Sequence, residues 1–193
     1  NICKLIGIQT KRSDIKLDGG NVVKSKGTVI MCDKVVKENK HLKKKELIDE
    51  LKNLFQIEDI VFIPTDPLDK IGHADGMVRF IDDKTVLINN YSKEDIGLQL
   101  SLKSSLNIAG LDWVEIPYNP YNNKTNLHAN GIYINFMQME NVLIIPTFNI
   151  KEDELAVKFF ENKFSDYKIK TIESNKIANE GGVLNCITWN IKK

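Results

Sequence analysis

Met77-Val78-Arg79-Phe80-Ile81, the turn Asp82-Asp83-Lys84, and Thr85-Val86-Leu87-Ile88 read as two strands of a hairpin. Ser92-Lys93-Glu94-Asp95 then resembles a capping box, and it opens a predicted helix to about Ala109 that Gly110 ends. Trp113-Val114-Glu115-Ile116-Pro117 closes the stretch as a third strand, halted by its proline. The order is ββαβ, and it recurs on both sides. Upstream, Asn21-Val22-Val23 and Thr28-Val29-Ile30-Met31 flank Ser25-Lys26-Gly27 as a hairpin. Residues 43–55 follow as a helix with Leu47, Ile48, Leu51, Leu54 and Phe55 on one stripe, and Asp59-Ile60-Val61-Phe62-Ile63-Pro64 as a buried strand. Downstream, strands are predicted near 131–138 and 141–147, a helix near 151–164 and a strand near 168–173. Residues 182–191 read as the first strand of a fourth hairpin.

Helix starts spaced by about 50–58 residues point to a propeller or array, not a doubly wound sheet. Each unit needs its neighbours to bury both faces. The residues opening the hairpins also correspond: Leu17-Asp18-Gly19-Gly20, Ala74-Asp75-Gly76, Ala129-Asn130-Gly131 and Asn179-Glu180-Gly181-Gly182. In a radial arrangement these four openings meet at one point, and chemistry is expected there.

Composition narrows the function classes. The chain has 193 residues, 42% apolar and 27% charged, which excludes a disordered or collagen-like chain and a disulfide scaffold. Lys+Arg 27 against Asp+Glu 26 gives a net charge of +1, so no global field draws nucleic acid or an anionic membrane. Apolar runs such as Val142 to Pro146 are far shorter than the ~20 residues of a membrane span. Cys3, Cys32 and Cys186 are odd in number and widely spaced, with no C-x-x-C pair. Cys3 and Cys32 read as buried, reduced thiols, and with no signal-peptide pattern a cytoplasmic location is the expectation.

Cys186 follows a glycine pair in Gly181-Gly182-Val183-Leu184-Asn185-Cys186, and His73 and Asp75 stand two apart in Gly72-His73-Ala74-Asp75-Gly76. On extended chain, positions i and i+2 share a face, so the imidazole and carboxylate enter one space, with Asp18 at the equivalent place in the first unit. A thiol, an imidazole and two carboxylates suit nucleophilic attack on a cationic carbon. The alternatives are a core cysteine and a structural histidine. His128 either lines the same centre or belongs to a surface loop, and His41, beside Lys40 and Lys43-Lys44-Lys45, reads as a solvated helix entry. Trp113 and Trp189 read as packing residues. Residues 118–127 are a candidate lid or substrate-contacting loop; within them, an N-x-T sequon (Asn123-Lys124-Thr125) carries no meaning without a signal peptide.

Gly72-His73-Ala74-Asp75-Gly76-Met77-Val78-Arg79-Phe80 and Glu180-Gly181-Gly182-Val183-Leu184-Asn185-Cys186-Ile187-Thr188 resemble signature segments of one family. It is the agmatine deiminase and Porphyromonas-type peptidyl-arginine deiminase family of guanidino-group-modifying enzymes. Asp18-Gly19-Gly20-Asn21 resembles its Glu-Gly-Gly segment, and Ile132-Tyr133-Ile134-Asn135-Phe136 its Ser-Tyr-Val-Asn-Phe segment. The resemblance runs in order from Leu17 to Trp189 and implies a pentein-type α/β-propeller of five ββαβ units. By that count the chain is expected to hold about three and a half of the five, in a single domain spanning residues 1–193 that is incomplete at its N-terminus.

The resemblance implies that Cys186 attacks the guanidinium carbon and that His73 moves protons. Asp18 would orient the histidine, and Asp75, with Asn21 and Asn185, would bind substrate. It implies no metal or organic cofactor. Three departures stand out. No Arg-Asp-x-Gly-Pro segment, which carries the family's other guanidinium-binding aspartate, is present; Asp18 replaces glutamate; and Asn185 replaces the histidine usual in agmatine deiminases. The aspartate shortens the reach to the imidazole by roughly 1.3 Å, against a hydrogen-bond tolerance of a few tenths. The expected partners are a small guanidino substrate and either further copies of the chain or a complementing N-terminal chain, because an incomplete array exposes strand edges. The other readings are a catalytically impaired fragment acting as a binding or assembly module and, more distantly, an amidinotransferase.

Overall fold

The computed structural model describes residues 2–121 and 127–189. Its helices are α1 (Ile2–Leu5), α2 (Lys34–Glu38), α3 (Lys44–Phe55), α4 (Ile96–Ile108), α5 (Glu152–Lys163) and α6 (Asn175–Ala178). Its strands are β1 (Val23–Lys24), β2 (Thr28–Cys32), β3 (Asp59–Ile63), β4 (Val78–Phe80), β5 (Thr85–Asn89), β6 (Asp112–Ile116), β7 (Met137–Met139), β8 (Val142–Thr147) and β9 (Lys168–Glu173). They form three three-stranded sheets, β1-β2-β3, β4-β5-β6 and β7-β8-β9. In each, the first strand pairs antiparallel with the second, and the third returns parallel to the second after a crossover helix. The predicted ββαβ order is therefore present three times among the described residues.

Alternation along the central strands shows why one unit cannot stand alone. In β2, Val29 and Met31 join Leu47 and Leu51 of their own helix α3, whereas Ile30 and Cys32 face the other way. They enter a cluster with Leu98, Leu102 and Leu106 of α4, the helix of the next unit. Strand β5 divides its residues similarly: Val86 and Ile88 pack with α4, and Leu87 enters the cluster of the third unit beside Leu143 and Phe160. A central strand buried on both faces carries near-continuous apolar residues, as Thr-Val-Ile-Met-Cys and Thr-Val-Leu-Ile-Asn do.

Five expectations need correction. Helix α4 is capped by Asp95, whose side chain accepts from Leu98 N at 2.9 Å. Ser92 lies instead in a turn in which Glu94 N and Asp95 N both reach Tyr91 O. The first part of 131–138 is not strand: only an isolated bridge, Tyr118 to Ile132, precedes β7. Tyr133, Ile134, Asn135 and Phe136 are all buried, so the apolar run marks an internal connection. The expected strand from 182 is a 3-10 turn at Asn185–Ile187, and its end at Ile191 lies outside the described residues. Trp189 is exposed, although Trp113 does pack against the core. Cys32 is buried as expected, while Cys3 is partly exposed. The sequon and most of the 118–127 loop also lie outside the described residues. Among the described residues no helix is long and apolar enough to cross a membrane.

Candidate active site

Corresponding hairpin openings adopt corresponding backbone. Asp18 (φ −84°, ψ 140°) precedes a 3-10 turn at Gly19–Asn21, and His73 (φ −93°, ψ 130°) precedes one at Ala74–Gly76. The repeat thereby sets the carboxylate and the imidazole side by side. Gly20 lies so close to the ring that a Cβ there would stand 2.3 Å from His73 Nδ1. Asp18 Oδ2 is 3.6 Å from His73 Nε2, an ion-pair distance beyond hydrogen-bond range. The aspartate falls short as its missing methylene predicts, and Nε2 is buried with no hydrogen-bond partner. Asp18 Oδ2 instead accepts from Lys34 Nζ at 2.7 Å, and this bond holds the carboxyl below its ordinary pKa. The loop carrying His73 is fastened by Asp69, which accepts from Ile71 N and His73 N, each at 2.8 Å.

Cys186 sits on the turn Asn185–Ile187, near the mouth of a cleft of about 630 Å³ that includes some open solvent. The Asn135 side chain organises that turn. Its Oδ1 accepts from Asn185 N at 3.0 Å and Cys186 N at 3.4 Å, and the thiol lies 3.5 Å from the same oxygen. These bonds draw the backbone out of extended conformation where a strand was expected. Gly182 admits the cysteine closely, since a Cβ there would meet Cys186 Cβ at 3.0 Å. Desolvation, with the Asp75 charge adding to it, pushes the thiol above its ordinary pKa. Asp75 is itself pushed up by burial, opposed by His73 and by the Asn185 amide, which donates to Asp75 Oδ2 at 3.0 Å.

His73, Asp75 and Cys186 line the same cleft, and His128 lines it too. Asp18 stands behind His73. Asn185 meets the cleft region through Asp75, but its amide is occupied there. Asn21, expected to contact substrate, is placed elsewhere: it is fully buried, and its amide pairs with the Cys32 backbone, with Cys32 N donating at 2.7 Å. It ties the first opening to β2.

Sequence reasoning missed Asn135, Asp66, Asp69 and Lys34. Asn135 stood in a quoted segment without a role, and Asp69, four residues before His73, carried the only other local signal. Asp66 lines the cleft and is almost fully buried; it accepts from Leu68 N at 2.8 Å, and burial pushes its carboxyl up. Three aspartates in the lining favour a cationic ligand. A thiol that shares such a cleft with a carboxylate and an imidazole can attack an electrophilic carbon and exchange protons with it.

Comparison with known proteins bears on this chemistry. The model of the Porphyromonas-type peptidyl-arginine deiminase family matches residues 1–191. A relative from Streptococcus mutans is 26% identical over 225 residues, covering 97% of this chain and 60% of its own. The agmatine deiminase of Pseudomonas aeruginosa is 22% identical over 214 residues, covering 92% of this chain and 57% of its own. Among solved structures, the C. jejuni agmatine deiminase superposes with a TM-score of 0.80 at 25% identity, over 94% of this chain and 57% of that one. The agmatine deiminase of Enterococcus faecalis superposes with a TM-score of 0.83 at 19% identity, over 96% and 60%, a likeness of fold. The chain thus spans about 60% of the length of the curated relatives it matches.

Proposed function

Because the chain belongs to the Porphyromonas-type peptidyl-arginine deiminase family, we propose that it serves a guanidino-group hydrolase of the agmatine deiminase kind, with a covalent cysteine mechanism. The observation that carries this reading is the convergence of Cys186, His73 and Asp75 on one cleft from two separate units. Asp75 binds the guanidinium nitrogens. The cation, once seated beside Asp75, offsets the charge that opposes the thiolate, so substrate binding itself activates Cys186. Sγ bonds to the guanidinium carbon, and the tetrahedral adduct expels one nitrogen, which leaves as ammonia after His73 supplies a proton. Water, deprotonated by His73, attacks the remaining S-alkylthiouronium carbon. The C–S bond then breaks, returning the thiol and giving a ureido product. The net reaction is guanidinium plus water to urea derivative plus ammonium.

Agmatine or a similar small arginine derivative is the substrate class proposed. The site would act within a five-unit ring, with the second guanidinium-binding aspartate supplied by a complementing chain or segment, in the cytoplasm. The test is intact mass after incubation with chloroacetamidine, a guanidinium mimic. One adduct is expected in the native chain and none in Cys186→Ala. Labelling of Cys186 no faster than of Cys3 and Cys32 would sink the reading for this chain by itself. One observation favours a binding or assembly module instead: His73 Nε2 lacks the hydrogen bond to Asp18 that would orient it. Ammonia release from agmatine, arginine and arginyl peptides decides between the two and selects the substrate.

A further inference from the structure

Lys34 opens α2, immediately after β2, and its side chain runs inward to the back of the histidine loop, with only 15% of it exposed. The ammonium has three oxygen partners. It donates to Asp18 Oδ2 at 2.7 Å and to the Ile71 carbonyl, and lies 3.5 Å from Glu38 Oε1. The aliphatic stem is in contact as well. Gly72, at φ +70°, leaves room for it, and a Cβ there would lie 2.9 Å from Lys34 Cδ. We infer that Lys34 is a positioning residue for His73: one ammonium grips both the acidic partner of the imidazole and the backbone two residues before it, so loop and carboxylate move as a unit.

The charge has a second effect. Groups facing His73 are Asp18 from the first opening, Lys34 from α2, Asp69 in its own loop, and Asp75, His128 and Cys186 in the cleft. Of these, Lys34 is the cation that competes with the imidazolium for Asp18. It repels a protonated ring and withholds the carboxylate from it. Removing the ammonium therefore removes that repulsion and releases both the carboxylate and the Ile71 carbonyl, so the ring loses its fixed place. Lys34 itself stays charged: burial opposes its charge, but Asp18 and Glu38 outweigh burial and its pKa stands above the ordinary value.

The kinetic meaning of this arrangement rests on His73 carrying protons in the proposed reaction, but its test does not. Histidine ring NMR of the full chain, with the His73 signals identified by their loss in His73→Gln, reads the placement of the ring without turnover. Lys34→Met removes charge and donor, Lys34→Gln removes charge and keeps a donor for Ile71, and Lys34→Arg keeps the charge. Both neutral variants should shift and broaden the His73 ring signals while those of His41 stay in place, and arginine should restore them. Unmoved His73 signals in the neutral variants, or a failure of both to fold, makes Lys34 a structural anchor only and overturns the inference. An absence of deiminase activity leaves these outcomes readable.

Discussion

At the residue scale the site depends on single atoms and on their absence. Gly20 is the clearest case, because nothing larger fits beside His73 Nδ1. Gly20→Ala should displace the imidazole and lower amidine labelling of Cys186 and any turnover by about a hundredfold, as a 1 Å misplacement can. Its thermal midpoint should move far less than its activity. In the proposed reaction Asp75 makes opposed contributions, holding the cation while its charge adds to the desolvation that raises the thiol's pKa. Asp75→Asn should thus react a few-fold faster with neutral iodoacetamide near pH 7.5, as the thiolate fraction grows, yet more slowly with cationic chloroacetamidine. Parallel changes with both reagents would show that Asp75 acts only on the thiol. Cys186, His73, Asp75 and Asp18 were all legible from short motifs, because each is tied to a local glycine or spacing. Asn135, 51 residues from Cys186, was not: its role is a through-space capture of two backbone N–H groups.

Capping and crossover act at the element scale. The side chain that closes the first turn of α4 is Asp95, accepting from Leu98 N. Asp95→Ala should cost about 1 kcal/mol in a urea titration, and Ser92→Ala should change it by less than about half that. Equal losses would restore the capping box the sequence suggests. Ser-x-x-Asp matches that pattern in letters, but Tyr91 O collects the amides of Glu94 and Asp95 and delays the helix. The third hairpin failed differently. A run of apolar residues looks like a strand whether it lies in a sheet or is threaded through a core, and Tyr133 to Phe136 are buried on every side without ladder partners.

For the whole molecule, the cleft opposes stability. Asp66 and Asp75 are raised by burial, so keeping them ionised at neutral pH costs folding free energy. Their folded pKa values lie above the unfolded ones, so this penalty is present above the folded pKa and disappears as pH falls below about 3.9, the unfolded value. Asp66→Asn should accordingly raise the thermal midpoint at pH 7, with the advantage shrinking on acidification. An advantage that holds or grows at low pH would contradict it. Asp18, lowered by Lys34, works in reverse: its contribution holds above the unfolded value and fades as pH falls through the lower folded one. The sequence by itself determined the repeating ββαβ order and the thiol, imidazole and carboxylate of the candidate site, because strand and helix periodicity and short glycine-bearing motifs are local properties of the chain. Only the tertiary structure decided that Asp18 stands behind His73 and outside the cleft lining, that Asn21 faces β2 instead, and that Lys34 holds Asp18 at 2.7 Å while the histidine stands 3.6 Å away. Those are competitions between groups distant in sequence for the same atoms, and packing settles them.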